Sequence, residues 1–214
     1  MTSDAGLLLP RELDERLGLS ALIERHLADP RTGRNYQFPL PDLFRQSIYS
    51  RLAGYEDTND AERLAEDPTF RMLASRERRE TSVALTSTLH WFETEVLADA
   101  RNYQGLSRLN TELLQHEATL PPTRRVTLDI DSSESPVHGA QEQSAYNGHF
   151  ESVCYHPLFV FNPEGNCLAA KLRPGNVHSA AGWDDVLLPI IDRARGFSSG
   201  RRLAHAPPNS SGIA

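Results

Sequence analysis

Three observations predict an α+β chain. Apolar residues recur near every 3.6 positions through roughly the first 120 residues. At Pro121-Pro122 the pattern switches to strict alternation. After three strand-like stretches, one further helical stretch follows and the periodicity then ends. The predicted order is a helical region over 1–120, three strands and a helix over 121–196, and a disordered tail over 197–214.

The first helix begins near Pro10, where a first-turn proline belongs. It carries Leu13, Leu17, Leu22, Ile23 and Leu27 before Pro30 stops it. A second runs from about Asp42 to Leu52 on Leu43, Phe44, Ile48 and Leu52, with Gly54 as its stop. Thr58 or Asn59 caps a short helix holding Ala61, Leu64 and Ala65, and Pro68 restarts the chain. The run Arg76-Glu77-Arg78-Arg79 has no apolar member and reads as a solvated connector rather than a phosphate contact. From Leu85, with Thr86 or Ser87 as cap, LTSTLHWFETEVL gives another helix, and a last one spans about Leu106 to Leu120.

Beyond the two prolines, RRVTLDID alternates as a strand, with Val126, Leu128 and Ile130 on one face and Thr127, Asp129 and Asp131 on the other. VCYHPLFVFN reads as a second strand and CLAAKLRP as a third, joined by the turn Asn162-Pro163-Glu164-Gly165-Asn166. Ser179 caps a helix through Trp183, Val186, Leu187, Ile190 and Ile191 that ends at Gly196. The serine-, glycine- and proline-rich remainder has too little apolar periodicity to offset its ordering entropy. Three strands and one helix bury one sheet face well, so the core reads as incomplete.

Composition narrows the function classes. With 39% hydrophobic and 24% charged residues, the chain is not of disordered type. No window is apolar enough to span a bilayer, and the acidic start is not a signal peptide. Two cysteines, Cys154 and Cys167, exclude a disulfide scaffold and favour the cytoplasm; Cys154 reads as an inert core thiol. The net charge of −7 splits into −6 for 1–120 (14 basic, 20 acidic) and −1 for the rest. DNA contact therefore requires local arginine clusters, because bulk charge opposes it. Zinc spacings, nucleotide loops and serine-hydrolase elbows are absent from the sequence.

Two constellations carry candidate chemistry. Asp129 and Asp131 share one face at a strand end, where paired carboxylates can hold a hard cation such as Mg²⁺. Such a cation activates water and stabilises a leaving oxygen in phosphodiester cleavage. In the stretch Lys171 to Ser179, the side chains Lys171, Arg173 and His178 precede a helix N-terminus, which favours phosphate. His138 and Glu142, by contrast, read as ordinary loop polar residues.

Three stretches carry a family likeness. They are Gly54-Tyr55-Glu56-Asp57-Thr58-Asn59-Asp60 with Leu64 and Asp67-Pro68; Leu128-Asp129-Ile130-Asp131-Ser132-Ser133 with His138-Gly139-Ala140-Gln141 and Tyr146-Asn147-Gly148; and Leu168 through Ser179. Across about 6 to 196 the chain resembles bacterial insertion-sequence DDE transposases, DDE domain group 1. The resemblance implies an RNase H-like core behind a helical region that helps bind transposon-end DNA. It also implies three acidic residues holding Mg²⁺ for strand cleavage and joining. The first corresponds to Asp131 or Asp129. The second belongs to a strand after the last helix, but FSSGRRLAHAPPNSSGIA contains no acidic residue. The expectation is therefore a truncated or frameshifted copy, inactive alone. The alternative is a non-catalytic DNA-binding or regulatory protein acting on transposon ends, or in mixed oligomers with a full-length transposase.

Overall fold

The structure, a computed structural model, describes residues 5–33, 37–75, 77, 82–117 and 127–192. The chain is α+β and divides into two compact units, Met1–Thr119 and Leu120–Ala214. The expected tail at 197–214 lies outside the described residues, as does the connector at 76–81 apart from exposed Glu77.

In the first unit, a 3₁₀ turn (Ala5–Leu7) leads into α1 (Leu8–Leu17) and α2 (Leu19–His26). The predicted single helix is thus broken. Gly18 adopts φ 68° and donates its amide to the Asp14 and Glu15 carbonyls, a left-handed stop that glycine takes without steric penalty. The helices α3 (Leu40–Leu52), α4 (Ala61–Leu64) and α5 (Pro68–Ala74) follow. No side chain caps α4, neither Thr58 nor Asn59; aspartates instead cap the 3₁₀ turn Thr58–Asp60 that leads into it and the start of α5. Asp57 accepts from the Asn59 amide at 2.9 Å, and Asp67 from the Phe70 amide at 2.9 Å. Next, α6 (Thr86–Trp91) starts at Thr86 without a side-chain cap and runs on as a π-helical stretch, Phe92–Leu97. The last helix of the unit, α7 (Ala100–Glu117), begins six residues earlier than expected, because Asp99 accepts from the Arg101 amide at 2.9 Å.

Two apolar clusters fill this unit. One joins Leu22, Ile23, Leu43, Phe44, Leu89, Phe92, Val96 and Leu109; the other joins Leu7, Tyr49, Leu64, Phe70, Leu73 and Val83. Beside them lies a buried ionic network. Asp14 accepts from Arg45 Nε at 2.6 Å, from Arg45 Nη2 at 3.1 Å and from the Tyr49 hydroxyl at 2.8 Å. Arg11 lies 3.5 Å from Asp14 and donates to the Ser75 carbonyl at 3.0 Å. Arg11 and Arg45 are each 1% exposed, whereas the apolar Leu9 and Leu13 of α1 face solvent.

Among the described residues, the second unit contains six strands in two antiparallel sheets, not three strands. They are β1 (Asp129–Ser132), β2 (Ser135–Pro136), β3 (Ala145–Asn147), β4 (Ser152–Tyr155), β5 (Leu158–Phe161) and β6 (Cys167–Lys171). One sheet has the order β1-β5-β6 and the other β2-β4-β3. The predicted strand VCYHPLFVFN is split at His156-Pro157. Pro157 has no amide to give a ladder, and the His156 amide donates instead to the Arg173 carbonyl at 2.9 Å. The stretch read as a loop supplies β2 and β3, which are too short to show alternation. The turn after β5 forms as expected, with the Asn166 amide donating to Asn162 Oδ1 at 2.7 Å. A helix over 183–192, here α8, supplies Val186 and Ile190, which pack on Leu158 and Val160.

Candidate active site

β1 pairs with β5 in the register Asp129 with Phe161, Ile130 with Val160 and Asp131 with Phe159. Residues directly opposite in an antiparallel ladder share a face. Val160 and Leu158 are on the buried face with α8, so Asp129, Asp131, Phe159 and Phe161 are together on the other. Both aspartates are exposed, about 7 Å apart along the strand. The Phe159 and Phe161 rings sit 6.0 Å apart across from them. The Asp131 carboxylate also accepts from the Ser132 amide at 2.8 Å, which restrains one oxygen.

The donor set suits a hard divalent cation, since carboxylate oxygens are its preferred ligands. Among the described residues, no group of three or more histidine, cysteine or acidic side chains comes together around a common point. The β1 pair thus stands as two carboxylates exposed on one sheet face.

The three cationic candidates do not converge. Lys171 pairs with Leu158 on the buried-face side, and its ammonium binds the Asp185 carboxylate of α8. It lies on the opposite sheet face from the aspartates. Arg173 is 4% exposed. Its Nε donates to the His156 carbonyl at 2.7 Å, and its Nη1 to the carbonyls of Ser179 at 2.9 Å and Ala181 at 2.6 Å. Burial pulls the guanidinium below its usual pKa. Its Nη2 is buried with no hydrogen-bond partner among the described residues. Arg173 therefore clamps the loop between β6 and α8 onto the His156 junction instead of presenting itself to phosphate. His178 is exposed, and its Nδ1 accepts from the Ala180 amide at 3.2 Å within the same turn.

His138 and Glu142 are exposed and lie in the loop between β2 and β3. Cys154 is fully buried, as its apolar strand suggests, and burial raises the Cys167 thiol. Sequence reasoning did not foresee the Phe159–Phe161 pair opposite the carboxylates. The signal was available: period two across a hairpin puts alternate residues of both strands on one face.

No helix among the described residues is long and apolar enough to cross a membrane. A family model described as Transposase DDE domain group 1 matches residues 1–204. No curated protein and no solved structure matches the chain.

Proposed function

The chain belongs to the transposase DDE domain family, group 1, and from that premise we propose that it recognises transposon-end DNA and supplies the first acidic position of a metal-dependent strand-transfer site. The observation that carries this reading is the pair Asp129 and Asp131, exposed on one face of β1 in the antiparallel sheet β1-β5-β6, whose other face packs on α8. That arrangement suits the opening of an RNase H-like core, with β1 at the edge of its described sheet.

Asp129 and Asp131 would hold the metal, with Asp131 the more restrained of the two through its bond to the Ser132 amide. A divalent cation there supplies an activated water and charge stabilisation at the departing 3′-oxygen. The two carboxylates would anchor it on the exposed face of β1, where a phosphate could reach it. Two-metal chemistry needs further acidic ligands close by, and among the described residues no third histidine, cysteine or acidic side chain joins the pair. We therefore assign to this chain, acting in the cytoplasm, a role at DNA ends without cleavage of its own. Catalysis would require the carboxylates of a full-length transposase.

The test is a gel-shift and nicking assay on duplex from the element's terminal repeats, with Mg²⁺ or Mn²⁺. Binding without nicking is expected. Metal-dependent nicking that disappears in Asp131→Asn or Asp129→Asn would overturn the non-catalytic assignment. Absence of binding to end DNA would overturn the end-recognition role.

A further inference from the structure

We infer that the outer face of α7 is the surface that meets the DNA duplex, with Arg101 and Arg108 gripping phosphates and Gln104 facing the base edges. The inference rests on the DNA-end reading above and adds the contact surface to it.

The inner face of α7 is fixed by packing. Asn102, 3% exposed, donates to the carbonyls of Ala28 at 2.9 Å and Val96 at 2.8 Å, and accepts from the Ala28 amide at 2.7 Å. Gly105 crosses α2 so closely that a Cβ there would lie 2.2 Å from the His26 carbonyl oxygen. Glu112 is taken by Arg25 and by His26 Nε2, the latter at 2.6 Å. These contacts leave one side of the helix outward: Arg101, Tyr103, Gln104, Ser107 and Arg108 are exposed, with Thr111 half-buried beside them.

That side differs in charge from the rest of its unit. From Ala100 to Thr111 there is no acidic residue, although the region 1–120 carries −6 overall. The flanking acids are engaged: Asp99 binds the Arg101 amide and Glu112 is paired. Exposed Arg16 is matched by Glu12 at 3.2 Å and Arg51 by Glu93 at 2.8 Å, while exposed Arg63 is covered by the Tyr55 ring at 5.5 Å. Arg101 and Arg108 have no ion pair among the described residues. Tyr103, 60% exposed, lies two positions from Arg101 and so at the far margin of the outward arc.

The spacing fits duplex DNA. Seven residues separate the two arginines, which is about two turns and about 10.5 Å along the axis. The major groove is about 12 Å wide and admits a helix. Forked guanidiniums at that separation can contact phosphates while the short polar side chains between them face the groove floor. The acidic surface elsewhere repels the duplex, so this face is the one presented to it.

The test uses the full chain and fluorescence anisotropy with labelled terminal-repeat duplex, against a scrambled duplex, over a range of salt. For Arg101→Ala with Arg108→Ala, at least tenfold weaker binding is expected, and a salt slope lower by about two, one per lost phosphate contact. Both changes place a good helix former on an exposed face, and circular dichroism will verify the fold. Gln104→Ala should narrow the preference for terminal-repeat over scrambled duplex. Arg101→Lys with Arg108→Lys should restore the salt slope, and Arg16→Ala should bind like the wild type. Wild-type binding combined with unchanged affinity and slope in the double alanine variant would overturn this inference and leave end recognition standing. Failure of the wild type to bind any duplex would overturn both.

Discussion

Removing the Asp14 carboxylate tests what holds the helical unit together. Asp14 is 5% exposed and accepts two charge-assisted bonds from Arg45 and one from Tyr49. In Asp14→Ala, Arg45 keeps Asp42 at 3.4 Å and the Ser20 hydroxyl as its side-chain partners among the described residues. Leaving one member of a buried ion pair alone costs about 3–5 kcal/mol. The remaining Asp42 contact places this case near the lower end, at about 3 kcal/mol. For a unit of this size that corresponds to a fall in Tm of about 12 °C. Urea denaturation in a Trp183→Phe background measures it, because Trp91 then reports on the helical unit alone. Replacing the pair by apolar residues, Asp14→Leu with Arg45→Met, should recover most of the loss, since neither charge is then stranded. A loss below about 1 kcal/mol in Asp14→Ala would refute the reasoning and show that solvent reaches Arg45.

Further outcomes follow from neighbouring features. Burial, then the bond to Asp14, raises the Tyr49 phenol above its usual pKa. Its contribution is therefore full below the unfolded value near 10 and is lost as pH rises beyond it, so denaturation midpoints should fall above about pH 10, and less so in Tyr49→Phe. Gly105→Ala drives a Cβ into the His26 carbonyl and should destabilise the helical unit by about 1–3 kcal/mol in the same urea assay. Arg173→Met strands the His156, Ser179 and Ala181 carbonyls; it should cost at least about 2 kcal/mol, read by Trp183 fluorescence, without weakening binding to terminal-repeat duplex.

Most helices were legible because their inner faces are apolar at helical spacing, as with Leu43 and Phe44 of α3 or Leu89 and Phe92 around α6. The reading failed where polarity and burial part company. In α1 the network around Asp14 draws Arg11 inward and leaves Leu9 and Leu13 in water, and no apolar template finds that. The break at His156-Pro157 was visible as a proline but lost weight against the apolar run after it. Within the candidate site, period two placed Asp129 and Asp131 on one face correctly. The grouping of Lys171, Arg173 and His178 rested on closeness in sequence. Strand direction sends Lys171 to one sheet face, the carbonyl-rich loop captures Arg173, and His178 closes its own turn.

The central position of β5 has a consequence during synthesis. Leu158–Phe161 leaves the ribosome with β1 already available, but β6 follows some residues later and the α8 side chains Val186 and Ile190 later still. At about 5–20 residues per second, the roughly 30 residues to Ile190 take a few seconds to appear. For that interval the nascent chain presents the inner face of the run Leu-Phe-Val-Phe uncovered, and its second edge stays unpaired until β6 appears. A ribosome-associated chaperone that favours short apolar segments would find its target there, after the helical unit has already emerged.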